Sequence, residues 1–342
     1  MNSFRRRALL AVLLLTLTAC QSGTTGGGGD DQAAPGTEQP AGGTGGEGDQ
    51  GGDANIIVVT HGQASDPFWS VVKNGVDQAA SDYGVNVQYQ APETFDMVRM
   101  SQLIEGAVAQ QPDGLAVSIP DADALGGPIR QAVEADIPVI SINSGDDVAL
   151  DLGVLAHIGQ SEREAGFGGG QRLAEEGVTN GLCINHEQGN VALELRCEGF
   201  AEALEQAGGQ VTQLAVNGND PTDAQQRIEA AFAQDDSING GLAVGPLGMG
   251  PTLAALRNTN RLQDVTFGSF DLGEEILQAI VDGELAFAID QQQYLQGYLA
   301  VASLAQNARI GVHPVGIVQT GPAFVTDENA AQVIDLSKEG IR

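Results

Sequence analysis

Lysine is nearly missing from this chain: only Lys73 and Lys338 occur in 342 residues. Lysine and arginine together number 15 against 45 acids, a formal net charge of −30. A surface of that sign repels phosphate backbones, so DNA and RNA are excluded as partners. Aromatics are also scarce, at 4% of the chain, and Trp69 is the only tryptophan. The four histidines (His61, His157, His186, His313) and three cysteines show no metal-ligand spacing, so no metal is expected. The glycine-rich stretches 165–171 (AGFGGGQ) and 245–250 (GPLGMG) lack the spacing and downstream acid of a dinucleotide fingerprint. The first reads as helix packing through small residues and the second as a backbone turn. There is no nucleophile elbow, and no cofactor is implied.

What is present begins with a leader. MNSFRRRALLAVLLLTLTAC carries Arg5, Arg6 and Arg7, an apolar run from Ala8 to Leu15, and small residues before Cys20. Such a segment reads as a secretory signal, residues 1–20, too short for a membrane span. Its end resembles a bacterial lipobox, which implies cleavage before Cys20 and lipidation of its thiol. Residues 21–53 hold no Val, Ile, Leu, Met or aromatic residue and read as an acidic, flexible tether. The expectation is an extracytoplasmic, monomeric protein that meets the membrane only through its lipid anchor.

Cys183 lies in the strand-like GLCIN and Cys197 on the helix-like ALELRCEGF that follows. A strand packs against its next helix, so in an exported chain the pair is a disulfide candidate beside the alternative of two free thiols.

From Asn55 onward, short continuous apolar runs such as NIIVVT, GLAVSI and PVISIN alternate with amphipathic ones such as FDMVRMSQLIEGAVAQQ. This pattern predicts an α/β protein with parallel sheets covered on both faces, in two domains. Ligands in such sheets sit beyond the carboxyl ends of the strands. Those tips are rich in Asn, Asp, Gln, Ser and Gly.

The order of elements, with SDPFW after the first strand, PDADAL after the third, IPVISINS at the fourth, then GSFD and AIDQ, resembles the type I periplasmic binding proteins. Within them it is similar to the ribose and simple-sugar receptors of ABC transporters. The resemblance implies two Rossmann-like lobes joined by a three-segment hinge, with one lobe formed by 54–158 plus 292–322 and the other by 159–291 plus 323–342. It implies that Asp66 binds a hydroxyl while Phe68 and Trp69 stack on a sugar ring. Ser118 stands where the family has a small amide. Asn143 replaces an aspartate, and Ser144 replaces the arginine after it. Asp271 and Gln291 match a later aspartate and glutamine. Two positions depart: Glu194 aligns with a second-lobe arginine, with Arg196 two residues on, and Gly245 aligns with an asparagine. His186 and Glu187 are expected to supply hydroxyl contacts in their place.

Those residue types suit a sugar, whose C–H face is covered by aromatic rings and whose hydroxyls pair with amides and carboxylates. The sequence therefore predicts a receptor, not an enzyme, that passes a neutral monosaccharide or polyol to an ABC permease. The alternatives are a furanosyl-signal or nucleoside receptor, and a carbohydrate-acting enzyme using Asp66, Asp271 and Glu194 as acids.

Overall fold

The computed structural model describes residues 54–62 and 66–342. Cys20 and the segment 21–53 lie outside the described residues, as do 63–65.

Two six-stranded sheets form the framework. The first uses β1 (Asn55–Val59), β2 (Asn86–Gln90), β3 (Gly114–Val117), β4 (Val139–Asn143), β5 (Ala156–Gly159) and β11 (Gly316–Gln319), in the order β11-β5-β4-β3-β1-β2. The second uses β6 (Asn180–Asn185), β7 (Gln210–Ala215), β8 (Gly240–Ala243), β9 (Thr266–Phe270), β10 (Phe287–Asp290) and β12 (Ala323–Val325), in the order β12-β10-β9-β8-β6-β7. The two orders correspond strand for strand. Pairing is parallel throughout except between β10 and β12. The central strands are buried along their whole length because helices cover both faces. The edge strand β2 alternates in exposure, as a strand with one wet face should.

Each lobe has two apolar layers, one on either side of its sheet. Two helix pairs approach unusually closely, and glycine permits it. Helices α1 (Pro67–Tyr83) and α9 (Gln293–Ile310) meet where a Cβ on Gly75 would lie 2.0 Å from the Tyr294 carbonyl oxygen and one on Gly297 2.2 Å from that of Val72. Helices α4 (Glu162–Glu175) and α5 (Val191–Gln206) meet in the same way, Gly166 against Arg196 and Gly199 against Arg163. The glycine-rich stretch at 165–171 is thus a packing surface. Cys183 on β6 and Cys197 on α5 are joined by a disulfide, with Cα atoms 5.8 Å apart.

The chain passes between the sheets three times, after β5, after β10, and between β11 and β12. Thr320 ties these passages together. Its N–H and hydroxyl both donate to the Gly159 carbonyl, at 2.7 and 3.2 Å. Its carbonyl accepts from Gln292 Nε2 at 2.6 Å, and its hydroxyl accepts from Gln296 Nε2 at 3.1 Å. The segment after α10 (Ala330–Lys338) adds a further link. Asn74 Nδ2 of α1 donates to the Gly340 carbonyl, and Arg342 holds the fully buried Asp290 at 2.9 Å. Among the described residues no helix is long and apolar enough to cross a membrane.

Candidate functional site

The carboxyl ends of the two sheets face each other across a small, polar-lined cavity. Its wall includes Asp66, Phe68, Trp69 and Asn143 from the first lobe, and His186, Arg196, Gly245 and Asp271 from the second. Gln291 lies between them, on the passage after β10.

Pro67 opens α1, where its missing N–H is harmless, and Asp66 caps it by accepting from Phe68 N–H at 2.9 Å. The cap points the first turn at the cavity. Phe68 and Trp69 pack edge to face, 4.9 Å between centroids, and both join the core around Val58 and Ile142 while lining the cavity. The indole is pressed against Gly62, where an added Cβ would fall 2.0 Å from its ring, and meets the His61 edge at 4.7 Å. These rings are therefore core and cavity floor at once.

Asn143, at the end of β4, and Asp271, just after β9, are both left-handed, with φ of 65° and 66°. Such conformations in non-glycine residues concentrate at functional sites. Asn143 Nδ2 donates to Gln291 Oε1 at 3.1 Å, and Gln291 Nε2 donates to Asp271 Oδ1 at 2.7 Å. Gln296 Nε2 braces the same Gln291 oxygen at 3.0 Å.

Among the described residues, Arg196 is the one cation in the cavity wall. Its Nε and Nη2 grip Glu162 at 2.6 and 2.9 Å, Nη1 donates to the Val244 carbonyl at 2.8 Å, and Asp271 Oδ2 lies 3.6 Å away. The guanidinium also covers the Phe270 ring at 4.3 Å. Burial works against its charge, but the carboxylates of Glu162 and Asp271 outweigh that and raise its pKa. Burial pushes Asp66 up to about 7, against the Phe68 N–H that favours the carboxylate. It pushes Asp271 up to about 6, with Arg196 opposing. His61 and His186 are both lowered to about 3, by burial first and then by Arg196, so both imidazoles are neutral.

The structure places two of the sequence-predicted site residues, Glu194 and Ser118, outside the cavity wall and keeps Gly245 in it. Glu194 is half-buried and absent from the wall, which Arg196 occupies instead. Helix α5 begins at Val191, so 193, 196, 197 and 200 share its buried face, and 194 is turned away. Ser118 is fully buried behind the cavity, where its hydroxyl accepts from His61 N–H at 3.0 Å and meets His61 Nδ1 at 2.8 Å. Gly245 contributes space: an added Cβ would lie 2.4 Å from His186 Cε1, so His186 fills the volume that an asparagine side chain would take there. Sequence reasoning passed over Glu162, which pairs with Arg196 across 34 positions. It also passed over His61, which approaches Asn190 of the other lobe at 3.5 Å. At the mouth, Val191 N–H donates to the Pro120 carbonyl at 3.0 Å, a direct link between lobes, so the cleft is closed. Among the described residues no His, Cys, Asp and Glu cluster is placed to hold a metal.

The periplasmic binding protein domain family matches residues 56–311. The chain is 30% identical over 291 residues to the xylose/arabinose-binding protein XylF of Sulfolobus acidocaldarius, covering 80% of this chain and 71% of that one. It is 25% identical to the ribose import binding protein RbsB of Escherichia coli, over 69% of this chain and 79% of that one. Among solved structures, the carbohydrate transporter of Acidothermus cellulolyticus in complex with myo-inositol superposes with a TM-score of 0.80 at 35% identity, covering 85% of this chain and 100% of that one.

Proposed function

Because the chain belongs to the periplasmic binding protein family, we propose that it captures a neutral monosaccharide or polyol between its lobes and releases it to an ABC permease. It is an extracytoplasmic sugar-binding receptor of the ABC-transporter class and not an enzyme. The finer reading rests on one observation: a single cavity lined by Phe68 and Trp69 together with Asp66, Asn143, Asp271 and Gln291. Rings of that kind cover a sugar's C–H face, and the amides and carboxyls pair its hydroxyls. The relatives that bind xylose or arabinose, ribose and myo-inositol support small, uncharged, hydroxyl-rich ligands.

In this reading the moving bodies are 54–158 with 292–322 and 159–291 with 323–342, and the ligand drives their closure. Each lobe offers part of the contacts, and only the closed form makes them all. The protein acts as a monomer, held to the membrane by a lipid on Cys20. Isothermal titration against aldoses, ketoses and polyols tests the ligand class. Binding of a nucleoside or an amino acid with none of the sugars or polyols bound refutes it. Mass spectrometry of membrane-extracted protein tests the anchor, which requires a lipid-modified Cys20 at the amino terminus.

A further inference from the structure

An arginine in a cavity wall is well suited to receive a carboxylate or phosphate, because its planar fork matches both groups. In this cavity the fork is already engaged. Glu162 takes the Nε and Nη2 edge of Arg196 in a bidentate pair, at 2.6 and 2.9 Å, and is itself fully buried. Three features hold the carboxylate there. It sits in the first turn of α4, where the helix terminus favours negative charge. Gln160 Nε2 donates to it at 3.0 Å. The guanidinium it grips lies over Phe270, 4.3 Å from the ring centroid, and is tied to the Val244 carbonyl. Glu162 does not line the cavity, so whatever it does to a ligand it does through Arg196.

We propose that Glu162 is a positioning residue that sets charge selectivity: by occupying the bidentate edge of Arg196 and cancelling its charge, it makes the site reject sugar acids and sugar phosphates while accepting neutral sugars and polyols. An incoming anion finds no free fork and faces the carboxyls of Asp66 and Asp271. Repulsive elements of this kind give specificity that attractive contacts alone do not. What remains of Arg196 toward the cavity is a donor for one hydroxyl. The inference deepens the reading under Proposed function and rests on it.

Calorimetry on three proteins tests it: the natural chain, Glu162→Gln and Glu162→Asp. The ligands are D-xylose, D-glucose and myo-inositol (neutral), D-glucuronate and D-glucose 6-phosphate (anionic), and D-glucosamine (cationic). The natural chain should bind a neutral member at least about 100-fold more tightly than either anion. Glu162→Gln should narrow that ratio by about tenfold or more, since it removes the carboxylate that occupies the guanidinium's bidentate edge and leaves only the longer Asp271 contact. Glu162→Asp keeps the charge and should keep rejecting both anions. A merely structural role for Glu162 would weaken all ligands together and leave the ratio unmoved. The inference alone is overturned in any of three cases: an unchanged ratio in a Glu162→Gln protein that still binds its neutral ligand, glucuronate binding by Glu162→Asp, or equal binding of anion and neutral sugar by the natural chain. Should no neutral member bind the natural chain, the functional reading falls and this inference falls with it.

Discussion

Asn143 and Asp271 occupy corresponding places in the two lobes, each at the tip of the third strand from its sheet's edge, each left-handed, and each hydrogen-bonded to Gln291. A side chain on an interlobe passage thus reads both strand tips at once.

Gln291→Glu tests that coupling. The substitution keeps an acceptor for Asn143 but replaces the donor to Asp271 with an acceptor. Leaving a buried carboxyl short of its partner costs about 1–3 kcal/mol. Thermal or denaturant unfolding should show a loss of that size, and ligand affinity should fall in parallel. Unchanged stability and affinity would mean the bridge contributes nothing.

Trp69 gives a direct optical readout, being the only tryptophan. Its emission should shift on adding a ligand that binds. Trp69→Ala should weaken binding by about 1–3 kcal/mol, roughly 5- to 150-fold. Constant emission with a ligand shown to bind by calorimetry would place the indole out of contact with it.

Val191→Pro removes one interlobe hydrogen bond without breaking any intrahelical bond of α5. Val191 is the first helical residue, where proline is tolerated, and Asn190, at φ −85° and ψ 104°, has the extended conformation that precedes proline. Losing its N–H bond to Pro120 should lower ligand affinity by about 0.5–1.5 kcal/mol, roughly 2- to 12-fold. Small-angle scattering should show a larger open fraction without ligand. If the scattering curve is identical to that of the natural chain, this contact does not hold the lobes shut.

The pH dependence has a definite sign at Asp66. Its folded pKa, about 7, lies above the ordinary value of 3.8, so folding favours the protonated acid. The stabilisation is fully present below about pH 4 and is lost as pH rises through about 7. The melting temperature of the natural chain minus that of Asp66→Asn should therefore grow from pH 8 to pH 4.5, by the equivalent of at most about 2–4 kcal/mol. A difference that is flat, or that shrinks on acidification, would mean an ordinary carboxylate.

The disulfide closes a loop of sequence separation 14. Chain-entropy reasoning gives about 3 kcal/mol for a loop of that length. The paired substitution Cys183→Ala with Cys197→Ala should lower unfolding stability by roughly that amount. An equal denaturation midpoint would show that the crosslink adds nothing.

The α/β class was legible because continuous apolar strands between amphipathic helices have few other uses. The strand tips were legible as a group for the same reason, since parallel sheets expose their polar ends on one side. Arg196 against Glu194 was not. The loop from 186 to 190 decides where α5 starts, and a shift of one residue turns the helix face by about 100°. The Glu162–Arg196 pair was hidden by distance in sequence, because α4 and α5 meet only once the second lobe has folded. Ser118 shows a third limit. A small hydroxyl at a strand tip looks the same on paper whether it meets a ligand or, as here, fixes a neighbouring imidazole.

The link from Asn74 to Gly340 and from Arg342 to Asp290 has a practical side. The segment that ends in Gly340 and Arg342 therefore bridges α1 of the first lobe and the end of β10 in the second. An affinity handle or fluorescent reporter fused after Arg342 starts directly beside the ion pair to the fully buried Asp290 and loads that contact. A label on α2 (Met97–Ala109), which takes part in neither contact, leaves both intact.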